Sequence, residues 1–143
     1  MKILVVDDEV QLADAIVQIL KQHKYEAEAV YDGEDGYHYA MTNLYDVIIL
    51  DIMMPKMDGI ELCERVKNDL RYSHIPLVML TAKTTLQSKI SGMDAGADAY
   101  IEKPFSSSYL LSVVANLIKS RRKLCEAFTK NPLVLANTMA TST

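Results

Sequence analysis

"YDVIILDIMMPKMDG", residues 45–59, is the stretch that decides the fold. Four apolar residues, Val47-Ile48-Ile49-Leu50, run without a break and stop at one acid, Asp51. A Met53-Met54-Pro55 turn follows, and Asp58-Gly59 opens a helical pattern. An apolar run this short, bounded by turn residues, reads as a strand buried on both faces.

Similar runs recur on either side. "KILVV" (2–6) and "IPLVMLT" (75–81) are buried-strand patterns, with 76–80 continuously apolar. "YEAEAVY" (25–31) alternates, which suits a strand at a sheet edge. "DAYIEK" (98–103) holds a short fifth strand. Helical periodicity fills the gaps. Residues 8–23 place Val10, Ala13, Ile16, Val17 and Leu20 on one face. Residues 32–44 form a weaker helix capped by Asp32, and 58–70 a helix capped by Asp58 that buries Ile60, Cys63, Val66 and Leu70. A fourth helix spans 85–96 and ends near Gly96; the last spans 106–124.

Strands and helices in strict alternation predict a parallel sheet with helical crossovers on both faces. The expected fold is α/β: a flavodoxin-like (βα)5 doubly wound sheet with five parallel strands in the order 2-1-3-4-5. Its topological switch point lies between the first and third strands, where ligands sit beyond the strand C-terminal ends. The chain of 143 residues suits one domain, here residues 1–124. Residues 125–143, "CEAFTKNPLVLANTMATST", change character and read as a tail or a linker to an absent output domain.

Composition narrows the function. A net charge of −4 and the absence of Trp argue against a nucleic-acid surface on this chain. Cys63 and Cys125 lie far apart and suggest no disulfide framework, and His23, His38 and His74 lack ligand spacing. No apolar run approaches the ~18 to 20 residues that span a bilayer. A cytoplasmic domain is expected, with no direct insertion into a membrane.

The residues just past the strands carry the chemistry. The first strand ends in Asp7-Asp8-Glu9, the third in Asp51, the fourth in Thr81-Ala82 and the fifth in Lys103-Pro104. The predicted order sets all of them on one sheet edge. Crowded carboxylates repel one another and require a positive partner. A hard divalent ion with oxygen ligands fits, and Mg²⁺ best, because it leaves positions open for water and phosphate oxygens. Asp7 and Asp8 are the expected metal ligands. Asp51 ends the most buried strand and is the candidate nucleophile for a phosphoryl group. Thr81 and Lys103 are placed to contact phosphoryl oxygens. A flavin or dinucleotide carrier would want a Gly- or Ser-rich loop where Asp7-Asp8-Glu9 stands, and no GxGxxG or GxxxxGK[ST] is present.

The motifs "VVDDE" (5–9), "IILDIMMPKMDG" (48–59), "VMLTAK" (78–83) and "GADAYIEKPF" (96–105) together resemble the receiver domain of two-component response regulators. The resemblance spans residues 2 to about 118. It implies that Asp51 accepts phosphate from a phosphohistidine on a histidine kinase or histidine phosphotransfer protein. It implies Mg²⁺ held by Asp7, Asp8, Asp51 and the backbone carbonyl of Met53, with Thr81 and Lys103 on the phosphoryl group. It further implies a cis Lys103–Pro104 peptide and a switch formed by Thr81 and Tyr100. That switch would alter the face of the fourth helix, fifth strand and last helix to control an output such as transcription. Such a domain is a regulator rather than an enzyme, catalysing only its own phosphorylation and dephosphorylation. DNA would be contacted only through an output domain absent from this chain.

Met53 and Lys83 occupy two positions where the family varies to tune phosphate lifetime; neither has an acid or amide to hold an attacking water. From residue 73 onward the sequence is similar to receivers of hybrid sensor kinases joined to AraC-type DNA-binding domains. The first half is more similar to a free-standing regulator, so an excised domain, a divergent relative and a chimera stay open. A homodimer on activation is one expected assembly, although Ala99 and "SSSYLL" (106–111) depart from the charged pattern of the salt-bridged family dimer. Two other readings remain: a phosphorelay component, and a protein-binding module that retains the fold without its own DNA-binding output.

Overall fold

The computed structural model describes residues 1–82, 90–91 and 94–130, the last three by backbone alone. Five strands form one parallel sheet: β1 (Lys2–Val6), β2 (Glu26–Val30), β3 (Val47–Asp51), β4 (Leu77–Thr81) and β5 (Ala99–Glu102). Their order is β2-β1-β3-β4-β5, as expected, and the mixed strand β2 lies at an edge. The helices with described bounds are α1 (Val10–Gln22), α2 (Gly33–Thr42), α3 (Gly59–Lys67) and α4 (Ser107–Lys130). Of the helix expected over 85–96, residues 90–91 and 94–95 are helical, and the rest lies outside the described residues.

The sheet has a separate core on each face, which explains its unbroken apolar runs. Leu4, Val6, Ile48, Leu50, Leu77 and Met79 face one core with Leu62, Cys63 and Val66 of α3. Ile3, Val5, Val47, Ile49, Val78 and Leu80 face the other with residues of α1 and α4. Alternation within a strand thus supplies both layers, because successive side chains point to opposite faces.

Local chemistry sets the helix starts. The Asp32 carboxylate accepts from the Asp35 amide at 2.7 Å, and the Asp58 carboxylate from the Glu61 amide at 2.9 Å. These bonds satisfy amides that a helix N-terminus leaves without intrahelical partners.

Three details differ from the sequence expectation. Val10 opens α1 but is exposed, and the half-buried Leu12 packs instead. Leu70 is exposed, because α3 ends at Lys67 and helical periodicity no longer applies three residues later. Leu62 takes the buried place beside Cys63 and Val66. The last helix continues to Lys130, past the expected boundary at residue 124, while 131–143 lie outside the described residues. No helix among the described residues is long and apolar enough to cross a membrane.

Candidate functional site

Parallel pairing brings the C-terminal ends of the central strands together. Asp51 pairs with Leu80, so Thr81 lies one residue beyond it on β4, opposite Glu102 of β5. The Lys103 amide donates to the Thr81 carbonyl at 2.6 Å, fixing the lysine backbone at the same edge. The Lys103–Pro104 peptide is cis. Val6 pairs with Leu50, which sets Asp7 beside Asp51.

Asp7 and Asp51 are buried, whereas Asp8 is exposed. Asp7, Asp8 and Asp51 each offer a carboxylate oxygen, and these atoms lie within 4.8 Å of one another. Lys103 Nζ stands 3.2 Å from Asp7 Oδ2 and 3.3 Å from Asp51 Oδ2. It also stands 3.6 Å from Glu9 Oε1. The ammonium is shared among three acids. Burial lowers its pKa, but the carboxylates of Asp51, Asp7 and Glu9 outweigh that and raise it.

Asp51 is under the opposite stress. Burial and the neighbouring Asp7 carboxylate push its carboxyl up from the ordinary 3.8 to about 6, against the pull of Lys103 and the Met53 amide. That amide donates to Asp51 Oδ1 at 3.3 Å. Asp7 Oδ1 accepts from the Glu9 amide at 2.9 Å, which orients its other oxygen toward Lys103. A single ammonium therefore faces more negative charge than it can balance. A small hard cation suits this donor set of carboxylates, because its charge would relieve the repulsion.

The β3–α3 loop completes the geometry. The Ile52 amide bonds the Leu80 carbonyl, and the Gly59 amide bonds the Ile52 carbonyl, both at 3.0 Å. A Cβ at Gly59 would overlap the Asp51 carbonyl oxygen, and one at Gly33 would overlap that of Met57. Two glycines thus let α2 and α3 close on the loop that holds Asp51 and Met53.

The structure gathers Asp7, Asp8, Asp51 and Lys103 into one cluster, with Thr81 buried at the adjoining strand end. Tyr100 is half-buried against the α3-side core, and Lys83 lies outside the described residues. Glu9 was not among the predicted site residues; its position directly after two acids at a strand end was the available signal. Beside Lys103, a groove of about 460 Å³ is lined by Leu12, Ile16, Ile19, Pro104 and Phe105.

Residues 3–115 match the family model of the response regulator receiver domain. The chain belongs to that family. It is a receiver of phosphorylation-based two-component signal transduction. The receiver is 39% identical over 137 residues to the transcriptional regulatory protein DltR of Streptococcus agalactiae, covering 96% of this chain and 58% of that protein. It therefore spans little more than half the length of that curated relative. Its structure resembles a CheY-like receiver domain protein of Methanospirillum hungatei, with TM-score 0.81 and 30% identity over 85% of this chain and 96% of the other. It also resembles the receiver domain of the sensor histidine kinase PA1611 of Pseudomonas aeruginosa, solved with magnesium in its active site cleft. There the TM-score is 0.77 and the identity 25%, covering 82% of this receiver and 97% of that domain.

Proposed function

We propose that Asp51 is the phosphoacceptor of this receiver and that Asp7, Asp8, Asp51 and the Met53 carbonyl hold Mg²⁺. The observation that carries this reading is the convergence of carboxylate oxygens from Asp7, Asp8 and Asp51 within 4.8 Å of one another, with the Lys103 ammonium shared by Asp7 and Asp51. The bound ion would offset charge on the phosphoryl oxygens, the main demand of phosphoryl transfer. Asp51 supplies the attacking carboxylate oxygen. The P–N bond of a donor phosphohistidine breaks as the P–O bond to Asp51 forms, and the imidazole leaves with the bonding pair. Lys103 Nζ, already within 3.3 Å of Asp51 Oδ2, pairs with a phosphoryl oxygen. Thr81 donates its hydroxyl to another.

The donor is a histidine kinase or histidine phosphotransfer protein, and the apolar groove between α1 and the Pro104–Phe105 segment offers it a surface beside the acceptor. Movement of Thr81 toward the phosphate lets Tyr100 turn inward, shifting the population of the β5 and α4 face between two states. In this reading residues 1–124 are the receiver body, 125–143 are a tail or a linker to an output domain, and the protein works in the cytoplasm. Relatives such as DltR favour transcription as the output.

Incubation with acetyl phosphate or a phosphohistidine donor tests this assignment. Wild-type protein takes up label with Mg²⁺ and loses that ability in EDTA, while Asp51→Asn stays unlabelled. Equal labelling of Asp51→Asn would overturn the assignment.

A further inference from the structure

We propose that Met53 is a peroxide-sensitive control point, whose oxidation to the sulfoxide shortens the lifetime of the phosphate on Asp51. The proposal rests on the reading of Asp51 as phosphoacceptor and adds a modification site to it.

Among the described residues, exposure singles out this methionine, and Met41 on α2 is half-buried. Met53 is 74% exposed, whereas Met54, Met57 and Met79 are buried. Met1 is 47% exposed but lies at the start of β1, the opposite end of the sheet from Asp51. Peroxide reacts with thioethers that it can reach, so Met53 is open to attack while the core methionines are shielded.

Position gives that oxidation a consequence. The Met53 amide touches Asp51 Oδ1 at 3.3 Å, so its Cα lies one bond from a group in contact with the carboxylate. The unbranched side chain has three rotatable bonds and springs from the residue whose amide contacts the Asp51 carboxylate. A thioether sulfur accepts hydrogen bonds weakly and holds no water there. A sulfoxide is polar, and its oxygen accepts strongly. Oxidation therefore creates, two residues past Asp51, the kind of group that can orient a water toward phosphorus.

The steps balance. Hydrogen peroxide transfers one oxygen to sulfur, its O–O bond breaks, and water leaves; sulfur is oxidised by two electrons. In the hydrolysis that follows, the oriented water forms a P–O bond as the bond to Asp51 breaks. The carboxylate is regenerated, and inorganic phosphate departs with the water's oxygen and both of its hydrogens, as H2PO4⁻. The sulfoxide orients the water and holds no proton.

The test uses the full chain, as wild type and as Met53→Leu, each with and without dilute hydrogen peroxide. Peptide mass spectrometry maps the oxidised positions. Both proteins are then phosphorylated with acetyl phosphate and Mg²⁺, freed of donor, and followed as the phosphate decays. Met53 should oxidise ahead of Met54, Met57 and Met79. Decay in oxidised wild type should be about fivefold faster than in its untreated form, the rate equivalent of one hydrogen bond of ordinary net strength. Methionine sulfoxide reductase should restore the slower decay. Met53→Leu should decay alike with and without peroxide, while the exposed Cys125 reacts in both proteins and cancels from the comparison. Unchanged decay in oxidised wild type, or equal acceleration in Met53→Leu, overturns the proposal and leaves Asp51 as the acceptor. Absence of phosphate on untreated wild type overturns both.

Discussion

Asp51 combines burial with a second acid beside it, and both raise its pKa to about 6. The folded protein then binds this proton more tightly than the unfolded chain does at the ordinary 3.8. The associated stability is fully present below 3.8 and is lost as pH rises through about 6. In EDTA, Asp51→Asn should therefore unfold at higher urea than wild type at pH 7, by on the order of 2 kcal/mol. The two proteins should converge near pH 4, and Mg²⁺ should narrow the gap at pH 7 by favouring the charged carboxylate. Lys103 retains Asp7 and Glu9 as partners in the variant, so no buried ammonium is stranded. A wild type that gains stability relative to Asp51→Asn between pH 4 and 7 in EDTA contradicts the strained-carboxylate account. Asp7, Asp8, Asp51 and Lys103 were legible from sequence because chemistry and strand-end position coincide in each. Glu9 was not, because its role depends on where the Lys103 side chain points.

At the level of elements, the β3–α3 loop is held by close backbone contacts at both ends. Asp58 caps α3, and the absence of a side chain at Gly59 lets the helix start against the Asp51 carbonyl. Gly59→Ala must displace backbone, so a destabilisation of about 2–4 kcal/mol in urea unfolding is expected, with reduced phosphate uptake. A variant with unchanged stability and uptake would show that the contact is soft. Strands β1, β3 and β4 were legible because each is apolar on both faces. The Asp32 and Asp58 caps were legible from the acid before each helix. The end of α3 was not: Leu70 continues the helical spacing, but the chain turns at Asn68, and Lys67 bonds the Ser73 and Ile75 carbonyls and Asp98 instead. Periodicity reports which residues fit a helix, and competing side-chain contacts decide where it stops.

Across the whole molecule, the base of β3 is tied to the last helix. Arg121 donates to the Asp46 carbonyl at 3.3 Å and stands 3.7 Å from its carboxylate, while the Lys2 amide donates to that carboxylate at 2.7 Å. Among the described side chains Ile118 is the last buried one of α4, and Arg121 is a contact that ties the helix beyond it to the sheet. Arg121→Ala should speed amide exchange across 119–127 and change global stability by less than about 1 kcal/mol. Unaltered exchange there would mean that the helix end stands without this anchor. The five-strand order was legible because the alternation of elements leaves few topologies. The length of α4 was legible only in part: Leu124 and Phe128 stand at helical spacing past the expected end, but residues 121–123 are all basic and 122–127 are exposed, so no buried face marks where the helix stops.

Phosphorylation of this receiver makes a covalent bond to one carboxylate oxygen, and that bond can be trapped. After reaction with acetyl phosphate and Mg²⁺, borohydride reduces an aspartyl phosphate to homoserine, which peptide mass spectrometry locates. Homoserine is expected at position 51 in wild type, with none in EDTA and none in Asp51→Asn. Homoserine at Asp7 or Asp8 with Asp51 intact would contradict Asp51 as the phosphoacceptor.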